Sequence, residues 1–451
     1  MRTAGAICPV LVLEVLSVGH QLIQSEKSIC VYPMQKTINL LLMTLIFPPD
    51  GVSSAQLLGE IVEDLGAGDN VSINVITTTP HYNHDENAKE AQPIIWVWHR
   101  LYGKSQFHRA KVWHIRMPKK ARSAVMRSAQ WLWFHLVSLL LALSMCRKTD
   151  ILLTVSPPPT ITVVAVIMNK LFKTPFVYVM WELYPQILVT LGHLKTDSWL
   201  YKVLVRLEKL TYQEADRIVV LHEPMRQAVG CRVPAALKKT CVIPTFADVT
   251  YLKPMSKETT LRQKYSLQNK FVVGYAGNLG SSEDLGIVLK AAQKSPGVAF
   301  LICGDGTEKQ RLENFARSSN LKNVIFTGHL PYDMVPEITA TADVSLVVLS
   351  EGVGDEALPS KVYKVMACGR PVLAIASENS PLASLVLTLK VGRAVTDYNP
   401  SSLVRVIEEM SADEELLLSM GEQARASAVE LFSRDTVTSK YRRLISTTAR
   451  Q

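Results

Sequence analysis

The chain has 451 residues, of which 48% are hydrophobic and 20% charged, and its formal net charge is +9. This composition excludes an intrinsically disordered chain, and the length exceeds what one hydrophobic core normally supports, so two domains are expected. The seven cysteines form no C-x-x-C pair, which argues against a metal site or a disulfide framework and favours a reducing cytoplasm.

Residues 1–36 contain a weak apolar stretch that Glu14 interrupts, and no small-residue cleavage site follows it. We therefore do not expect a signal peptide. Met34 lies just before the first convincing strand. We expect residues 1–36 to be a dispensable leader that results from a start assigned too early.

From residue 38 onward, apolar stretches of strand length alternate with segments of helical period, as in a parallel sheet wrapped by helices. In the first domain, 37–243, the predicted strands are Ile38–Phe47, Val71–Thr78, Ile94–Trp98, Ile151–Val155, Phe176–Met180 and Arg217–Leu221. After the first strand, apolar residues recur on one helical face, and Ser53 or Ser54 is the expected N-cap of that helix.

The stretch from Ala91 to Thr149 is basic, with eleven Lys and Arg and no Asp or Glu. Such a surface suits the phosphates of nucleic acid, anionic lipid head groups or a diphosphate acceptor, although a solvated basic face is an equal alternative. Within it, Ser128–Cys146 has 19 residues without a formal charge, with Trp131 and Trp133 near one end. Its polar residues and basic flanks favour a helix that lies on a membrane or packs in the domain over one that crosses a membrane.

A second alternating block follows an irregular stretch at 244–258, which we interpret as the interdomain linker. In the second domain, 259–432, the predicted strands are Phe271–Ala276, Val298–Cys303, Val324–Thr327, Val344–Leu349 and Pro371–Ala376. A helix in 433–451 is expected to pack back toward the first domain. Ligands of doubly wound sheets bind outside the carboxyl ends of the strands, so the pattern predicts two α/β domains with a ligand cleft between them.

Several enzyme classes lack their signatures. The sequence has no P-loop, no complete dinucleotide fingerprint, no G-x-S-x-G and no H-E-x-x-H. D-x-D is also absent, which removes the usual metal clamp on a sugar diphosphate. We therefore expect no obligatory metal and no cofactor.

Turns at the predicted strand ends suit a phosphate ligand. F-P-P-D-G-V-S-S-A at 47–55 combines Gly51 with the start of a helix, although an ordinary capped turn explains this motif on its own. Three successive strand ends carry small residues: Y-A-G-N-L-G at 275–280, C-G-D-G-T-E-K at 303–309 and F-T-G-H-L-P at 326–331. Because these three turns are in register at the ends of successive strands, they predict a groove that can hold a base, a ribose and a diphosphate.

The strongest motif is E-A-L-P-S-K-V-Y-K-V-M-A-C-G-R-P-V-L-A at 356–374. Pro359 is expected early in a helix, with Ser360 and Lys361 in the first turn. A lysine at the positive end of a helix is unfavourable unless an anion binds there. The motif therefore predicts a diphosphate contact.

Together these motifs resemble the retaining glycosyltransferases of family 4, which have the two-domain GT-B fold. The resemblance covers about 37–448 and is strongest to bacterial surface-polysaccharide enzymes of the colanic-acid and fucosaminyl-transferase type. Further residues that carry it are T-V-S-P-P-P at 154–159, W-E-L-Y-P-Q-I-L-V-T-L-G at 181–192 and A-D-R-I-V-V-L at 215–221.

The resemblance implies roles for particular residues. Glu356 would contact the donor sugar, and Glu182 would orient the acceptor hydroxyl or, alternatively, cap a helix. Lys361 would be the cation for the diphosphate, because Asn278 stands where many members have a basic residue. Lys364 replaces an acid that contacts the ribose, which puts that contact in doubt. The remaining residues implied to bind the donor are Gly51, Gly277, Gly304, Asp305, Gly306, His329, Leu330, Pro359 and Ser360.

The implied function is transfer of a hexosyl or N-acetylhexosaminyl group, with retention, from a nucleoside diphosphate sugar to a lipid-linked saccharide acceptor. The enzyme would be cytoplasmic and peripheral on the inner face of the cytoplasmic membrane, bound to anionic lipid and not to nucleic acid. Two alternatives are a nucleotide-sugar epimerase or phosphorylase of the same fold and an inactive membrane-associated scaffold.

Overall fold

The computed structural model describes residues 37–449, apart from 69, 81–92, 99, 118–123, 191 and 353–356. The expected leader at 1–36 lies outside the described residues. From Ile38 onward the chain forms one compact unit, in which two lobes each contain a largely parallel sheet. The predicted α/β class with two Rossmann-like domains is confirmed.

Among the described residues, the sheet of the first lobe has nine strands in the order β3-β4-β5-β2-β1-β6-β7-β8-β9. Their bounds are β1 (Ile38–Met43), β2 (Val71–Thr78), β3 (Ile95–Val97), β4 (Tyr102–Phe107), β5 (Ala110–Ile115), β6 (Ile151–Val155), β7 (Phe176–Met180), β8 (Arg217–Val220) and β9 (Thr240–Val242). The strand pairs β3·β4 and β4·β5 are antiparallel, and the others are parallel.

Helices cover both faces of this sheet. They are α1 (Ser53–Gly66), α2 (Ala124–Met145), α3 (Thr162–Phe172), α4 (Gln186–Thr190), α5 (Trp199–Glu214) and α6 (Glu223–Arg232). Because both faces are covered, the central strands are apolar throughout: Leu40–Leu42 are at most 1% exposed. Leu41 contributes to the core on one face, and Leu40 and Leu42 contribute to the core on the other.

The described part of the second lobe has a six-stranded, all-parallel sheet in the order β12-β11-β10-β13-β14-β15. The strands are β10 (Phe271–Ala276), β11 (Val298–Cys303), β12 (Val324–Gly328), β13 (Val344–Val348), β14 (Val372–Ile375) and β15 (Gly392–Val395). The helices are α7 (Thr260–Lys264), α8 (Gly286–Lys294), α9 (Lys309–Ser318), α10 (Val335–Thr341), α11 (Lys361–Ala367), α12 (Pro381–Thr388), α13 (Pro400–Ser411) and α14 (Glu414–Leu431).

The last helix, α15 (Arg434–Thr448), returns to the first lobe. Val437, Tyr441 and Ile445 are buried in the core of that lobe. Arg434 donates to the carboxylates of Glu63 and Asp64 on α1, at 2.6–2.9 Å. The side chains of α15 therefore join the end of the chain to the first helix.

The segment predicted as a linker, 244–258, lies between β9 and α7 and contacts both lobes. Phe246 packs in the core of the first lobe, and Leu252 packs in the core of the second. Arg425 of α14 donates to the carbonyls of Val249 and Leu252. The segment is irregular, as expected, but it is more buried than its polar residues suggest.

Among the described residues, the longest apolar helix is α2, which has two different faces. Phe134, Val137, Leu141 and Ala142 are buried against the sheet, at 0–7% exposure. The opposite face carries Leu132, Leu136 and Leu140, which are 72%, 51% and 49% exposed. By length and composition alone, Ala129–Lys148 could cross a membrane, although 28% of its most apolar stretch is buried in the protein.

The buried histidine on β5 lies between two hydrogen-bonding partners. His114 is 1% exposed, with Nδ1 3.2 Å from the Thr78 carbonyl and Nε2 2.7 Å from Ser105 Oγ. These partners fit a neutral ring in which Nδ1–H donates to the carbonyl and Nε2 accepts from the hydroxyl. Burial lowers the pKa of His114 to about 4, although the bond to Thr78 opposes this shift.

We expect His114 to make folding stability depend on pH. The unfolded chain takes up a proton as the pH falls below about 6.5, whereas the folded chain does so only near pH 4. The contribution of His114 is therefore fully present above about pH 6.5, and about 3 kcal/mol is lost as the pH falls toward 4. Urea unfolding of the wild type and of His114→Gln at several pH values measures this loss of stability. The same pH dependence in both proteins would contradict the assignment.

Candidate functional site

Lys361 is the first residue of α11, and its side chain extends toward the carboxyl end of β10. Its Nζ lies 2.9 Å from Tyr275 Oη and 3.4 Å from Glu283 Oε1, and 4.6 Å from the centroid of the Tyr275 ring. The side chain is 18% exposed. Burial lowers the pKa of Lys361, although the neighbouring Glu283 carboxylate opposes this shift. This geometry places an ammonium group at the strand ends of the second lobe.

Two predictions of helix starts need correction. Pro359 precedes α11 instead of lying in its first turn, and Ser360 is the N-cap without a capping side-chain bond. In the first lobe, Val52 is the N-cap of α1, so neither Ser53 nor Ser54 caps it. The backbone of Val52 is extended, which is what the N-cap position requires, and the serines already lie inside the helix.

The glycines at the strand ends have a structural reason that does not involve a ligand. A Cβ on Gly304 would lie 1.8 Å from the Gly277 carbonyl oxygen, and one on Gly306 would lie 2.4 Å from that of Leu279. A Cβ on Gly277 would lie 2.9 Å from Lys361 Nζ. The turns after β10 and β11 therefore pack backbone against backbone, and Lys361 lies against the first of them.

The other strand-end residues lie around these turns. Asn278 is exposed, and its carbonyl accepts a hydrogen bond of 2.6 Å from Tyr275 Oη. Asp305 lies 3.7 Å from Lys309 Nζ. His329, which follows β12, is exposed, and Leu330 packs against the core under α10. Polar groups therefore follow three adjacent strands of the second sheet, β10, β11 and β12.

The two lobes meet at a small cavity. Ser53, Gln56 and Glu60 of α1 line it together with Ser360 and Lys364. The structure therefore brings the start of α1, which follows the exposed Gly51, near the start of α11.

Lys364 faces the first lobe across this cavity. Burial lowers the pKa of Lys364, and Glu60 of α1 raises it. Burial also raises the pKa of Glu60, although Arg434, Gln56 and Lys364 oppose this shift. Lys364 and Glu60 therefore line the same cavity and interact electrostatically between the lobes. The sequence suggested no partner for Lys364, because Glu60 and Lys364 are about 300 positions apart.

The structure describes one of the two remaining predicted catalytic residues. Glu356 lies outside the described residues. Glu182 is exposed and follows β7, four residues before α4 begins, so it does not start that helix. Tyr178 and Tyr184, on either side of it in sequence, line a small and mainly apolar cavity with Leu204 and Leu207 of α5.

Three residues of the site were not predicted: Tyr275 and Glu283, which contact Lys361, and Glu60, which faces Lys364. Each pairing joins segments that are distant in sequence, so a local pattern could not identify it. Among the described residues, no group of three or more His, Cys, Asp or Glu could hold a metal ion. The five cysteines that the structure describes are all free.

Two known protein families match this chain, one in each lobe. The family described as "Glycosyl transferase 4-like domain" matches residues 67–245, and "Glycosyl transferases group 1" matches 257–427. A probable glycosyltransferase, WbjE of Pseudomonas aeruginosa, is 27% identical over 59% of this chain and 67% of its own. The putative colanic acid biosynthesis glycosyl transferase WcaI of Escherichia coli is 34% identical over 28% of this chain and 32% of its own, so the aligned part spans about a third of that relative.

Among solved structures, the Anabaena protein Alr3699/HepE in complex with UDP has a TM-score of 0.67 and 18% identity. The match covers 91% of this chain and all of that one. At this identity the similarity establishes the fold alone. Because the two family matches follow one another along the chain and cover most of it, the protein belongs to the group 1 glycosyltransferases with the GT-B fold.

Proposed function

We propose that the protein transfers a hexosyl or N-acetylhexosaminyl group, with retention, from a nucleoside diphosphate sugar to a lipid-linked saccharide acceptor in surface-polysaccharide synthesis. The observation that carries the proposal is the Lys361 ammonium at the strand ends of the second lobe, 2.9 Å from Tyr275 Oη. The complexes of HepE with UDP and with UDP-glucose support a nucleotide-sugar donor. The names of WbjE and WcaI support a glycosyl transfer, the latter in colanic acid biosynthesis.

In the proposed reaction, the bond between the sugar and the diphosphate breaks, and the acceptor oxygen bonds to the sugar carbon on the face that the diphosphate leaves. The hydroxyl proton passes to the departing diphosphate. The charge that develops on the departing diphosphate is stabilised by Lys361 and by the backbone N–H groups at the start of α1. This role needs no resident metal, so we expect turnover in the presence of EDTA. Glu182 is proposed to orient the acceptor hydroxyl, and the lobes to close over the substrates.

The outer face of the first lobe supports a membrane-bound acceptor. Helices α2, α3 and α5 pack side by side over one face of the sheet. Their outward sides expose large apolar residues: Leu132, Leu136, Leu140, Leu171, Phe172, Trp199, Leu200 and Val203. Lysines and arginines flank them, including Lys170, Lys173, Lys202 and Arg206. Apolar side chains together with cations suit the surface of an anionic bilayer, and we propose that the protein is peripheral on the inner face of the cytoplasmic membrane.

A panel of nucleotide sugars tests the proposed donor. A bound donor at 100 times its Kd should stabilise the protein by about 2.7 kcal/mol in thermal unfolding. With that donor, free nucleoside diphosphate should appear only when a membrane lipid extract is added. Conversion of the nucleotide sugar without lipid would favour an epimerase, and binding without any turnover would favour an inactive scaffold.

A further inference from the structure

Glu283 is the acidic partner of Lys361. It lies in the turn between β10 and α8, and its side chain is 13% exposed. Oε1 is 3.4 Å from Lys361 Nζ, and Oε2 accepts a 2.8 Å hydrogen bond from Ser282 Oγ. Both carboxylate oxygens are therefore held.

The turn itself does not require this carboxylate. Asp284, the next residue, is the one that accepts from the backbone N–H of Gly286 at the start of α8. Burying a carboxylate is unfavourable unless a cation or hydrogen-bond donors compensate for the lost water. The position of Glu283 is therefore explained by Lys361, on a helix 78 residues further along the chain.

The groups around Lys361 Nζ fix where its charge lies. Among the described residues, the titratable groups that face Nζ are Glu283 and Tyr275. Burial, with a contribution from Glu283, raises the pKa of Tyr275, so its phenol stays protonated. That phenol accepts from Nζ and donates to the Asn278 carbonyl. Glu283 is thus the counter-ion of a buried lysine.

We propose that Glu283 is a positioning residue of the donor site, whose carboxylate holds the Lys361 ammonium beside Gly277 so that an incoming diphosphate meets a preformed cation. The geometry supports this, because a side chain at Gly277 would occupy the space next to Nζ. The identity of the anion rests on the proposed function, whereas the Glu283–Lys361 pairing does not. Glu283 acts through Lys361 and needs no contact with the donor.

The first experiment uses no ligand. Acetic anhydride modifies only the neutral amine, so the rate of Lys361 acetylation from about pH 6 to about pH 10, measured by peptide mass spectrometry, follows its titration. Glu283→Gln keeps the shape of the side chain and removes its charge. We expect the midpoint to fall by at least about one pH unit, because an opposite charge at this distance raises the pKa of an amine. Asp284→Asn, which removes a neighbouring charge, should leave the midpoint unchanged.

An unchanged midpoint in Glu283→Gln would overturn the proposal, since a purely structural role alters the rate at every pH without moving the titration. Activity gives a second test. With a donor that the wild type uses, the alkaline limb of the pH profile of kcat/KM should move to lower pH in Glu283→Gln. Above that limb, kcat/KM should be roughly tenfold lower than in the wild type. In a Lys361→Arg background, whose guanidinium stays charged, the same substitution should not shift the limb.

The two experiments separate this inference from the proposed function. If the wild type turns over no nucleotide sugar, the proposed function fails, and the acetylation midpoint still decides whether Glu283 positions Lys361. If the wild type turns over a donor and neither the midpoint nor the alkaline limb moves in Glu283→Gln, the positioning role is wrong and the proposed function stands.

Discussion

Replacing Lys361 with alanine is expected to lower turnover by roughly 10²–10³-fold, the usual effect of removing one preorganised charge that stabilises a transition state. Its Nζ is held at 2.9 Å from Tyr275 Oη and 3.4 Å from Glu283 Oε1, and 18% of the side chain is exposed. A cation held in this way needs little reorganisation when charge develops on the leaving diphosphate. Because that charge is greatest in the transition state, kcat should fall more than KM rises.

The control for this variant must separate charge from folding. Lys361→Arg keeps a cation at the start of α11 and should retain more activity than Lys361→Ala. Thermal unfolding of both variants shows whether the lobe remains folded once Glu283 has lost its partner, and Glu283→Gln combined with Lys361→Ala removes the unpaired carboxylate. Near-wild-type turnover by a folded Lys361→Ala protein, with every donor that the wild type accepts, would exclude Lys361 from the reaction.

The alternation of strands and helices was predictable because parallel strands covered on both faces are apolar without interruption. Ile151–Val155 and Phe176–Met180 were predicted with the bounds that the structure has, and all ten side chains are buried. The predicted strand Ile38–Phe47 was too long, since β1 ends at Met43 and the buried residues after it belong to the connection to α1. Burial continues beyond the strand, so hydrophobicity alone could not locate its end.

Four strands were missed for a different reason. In β4, Tyr102–Phe107, polar residues alternate with small ones near the edge of the sheet, and β5, Ala110–Ile115, carries Lys111 and His114. The strands β9 and β15 have only three and four residues. Strands as short as β9 and β15, which lie at the edges of their sheets, bury too few side chains to give a clear periodicity, and the polar residues within β4 and β5 interrupt the apolar pattern.

The candidate site was predictable only in part. Motifs at strand ends identified Lys361 and the glycine turns, because the carboxyl ends of parallel strands meet at one edge of the sheet. The partners Glu283 and Glu60 depend on how distant segments pack, which no local pattern contains. Lys364 illustrates this: its sequence position suggested a doubtful ribose contact, whereas the structure places it opposite Glu60 of the other lobe.

Replacing Leu132, Leu136 and Leu140 together with glutamine is expected to weaken binding to anionic vesicles by roughly 100-fold. These side chains are 49–72% exposed on one face of α2, and even partial burial of each in a bilayer contributes about 1 kcal/mol. Co-sedimentation with vesicles of phosphatidylglycerol and phosphatidylcholine measures the effect. The double variant Leu387→Gln and Leu418→Gln, on exposed sites of the second lobe, is the matched control and should bind like the wild type.

The sheet topology argues against an α2 that crosses a membrane. The strands β2 and β5 precede this helix and β6 follows it, yet β1 pairs with both β2 and β6, and β5 pairs with β2. A helix that crossed the bilayer would place β5 and β6 on opposite sides, whereas they belong to one sheet. We therefore expect release from membranes by high salt or alkaline carbonate, with binding that increases with anionic lipid. Retention in the carbonate pellet, with extraction by detergent alone, would mean that Ala129–Lys148 spans the bilayer and that the first sheet assembles differently.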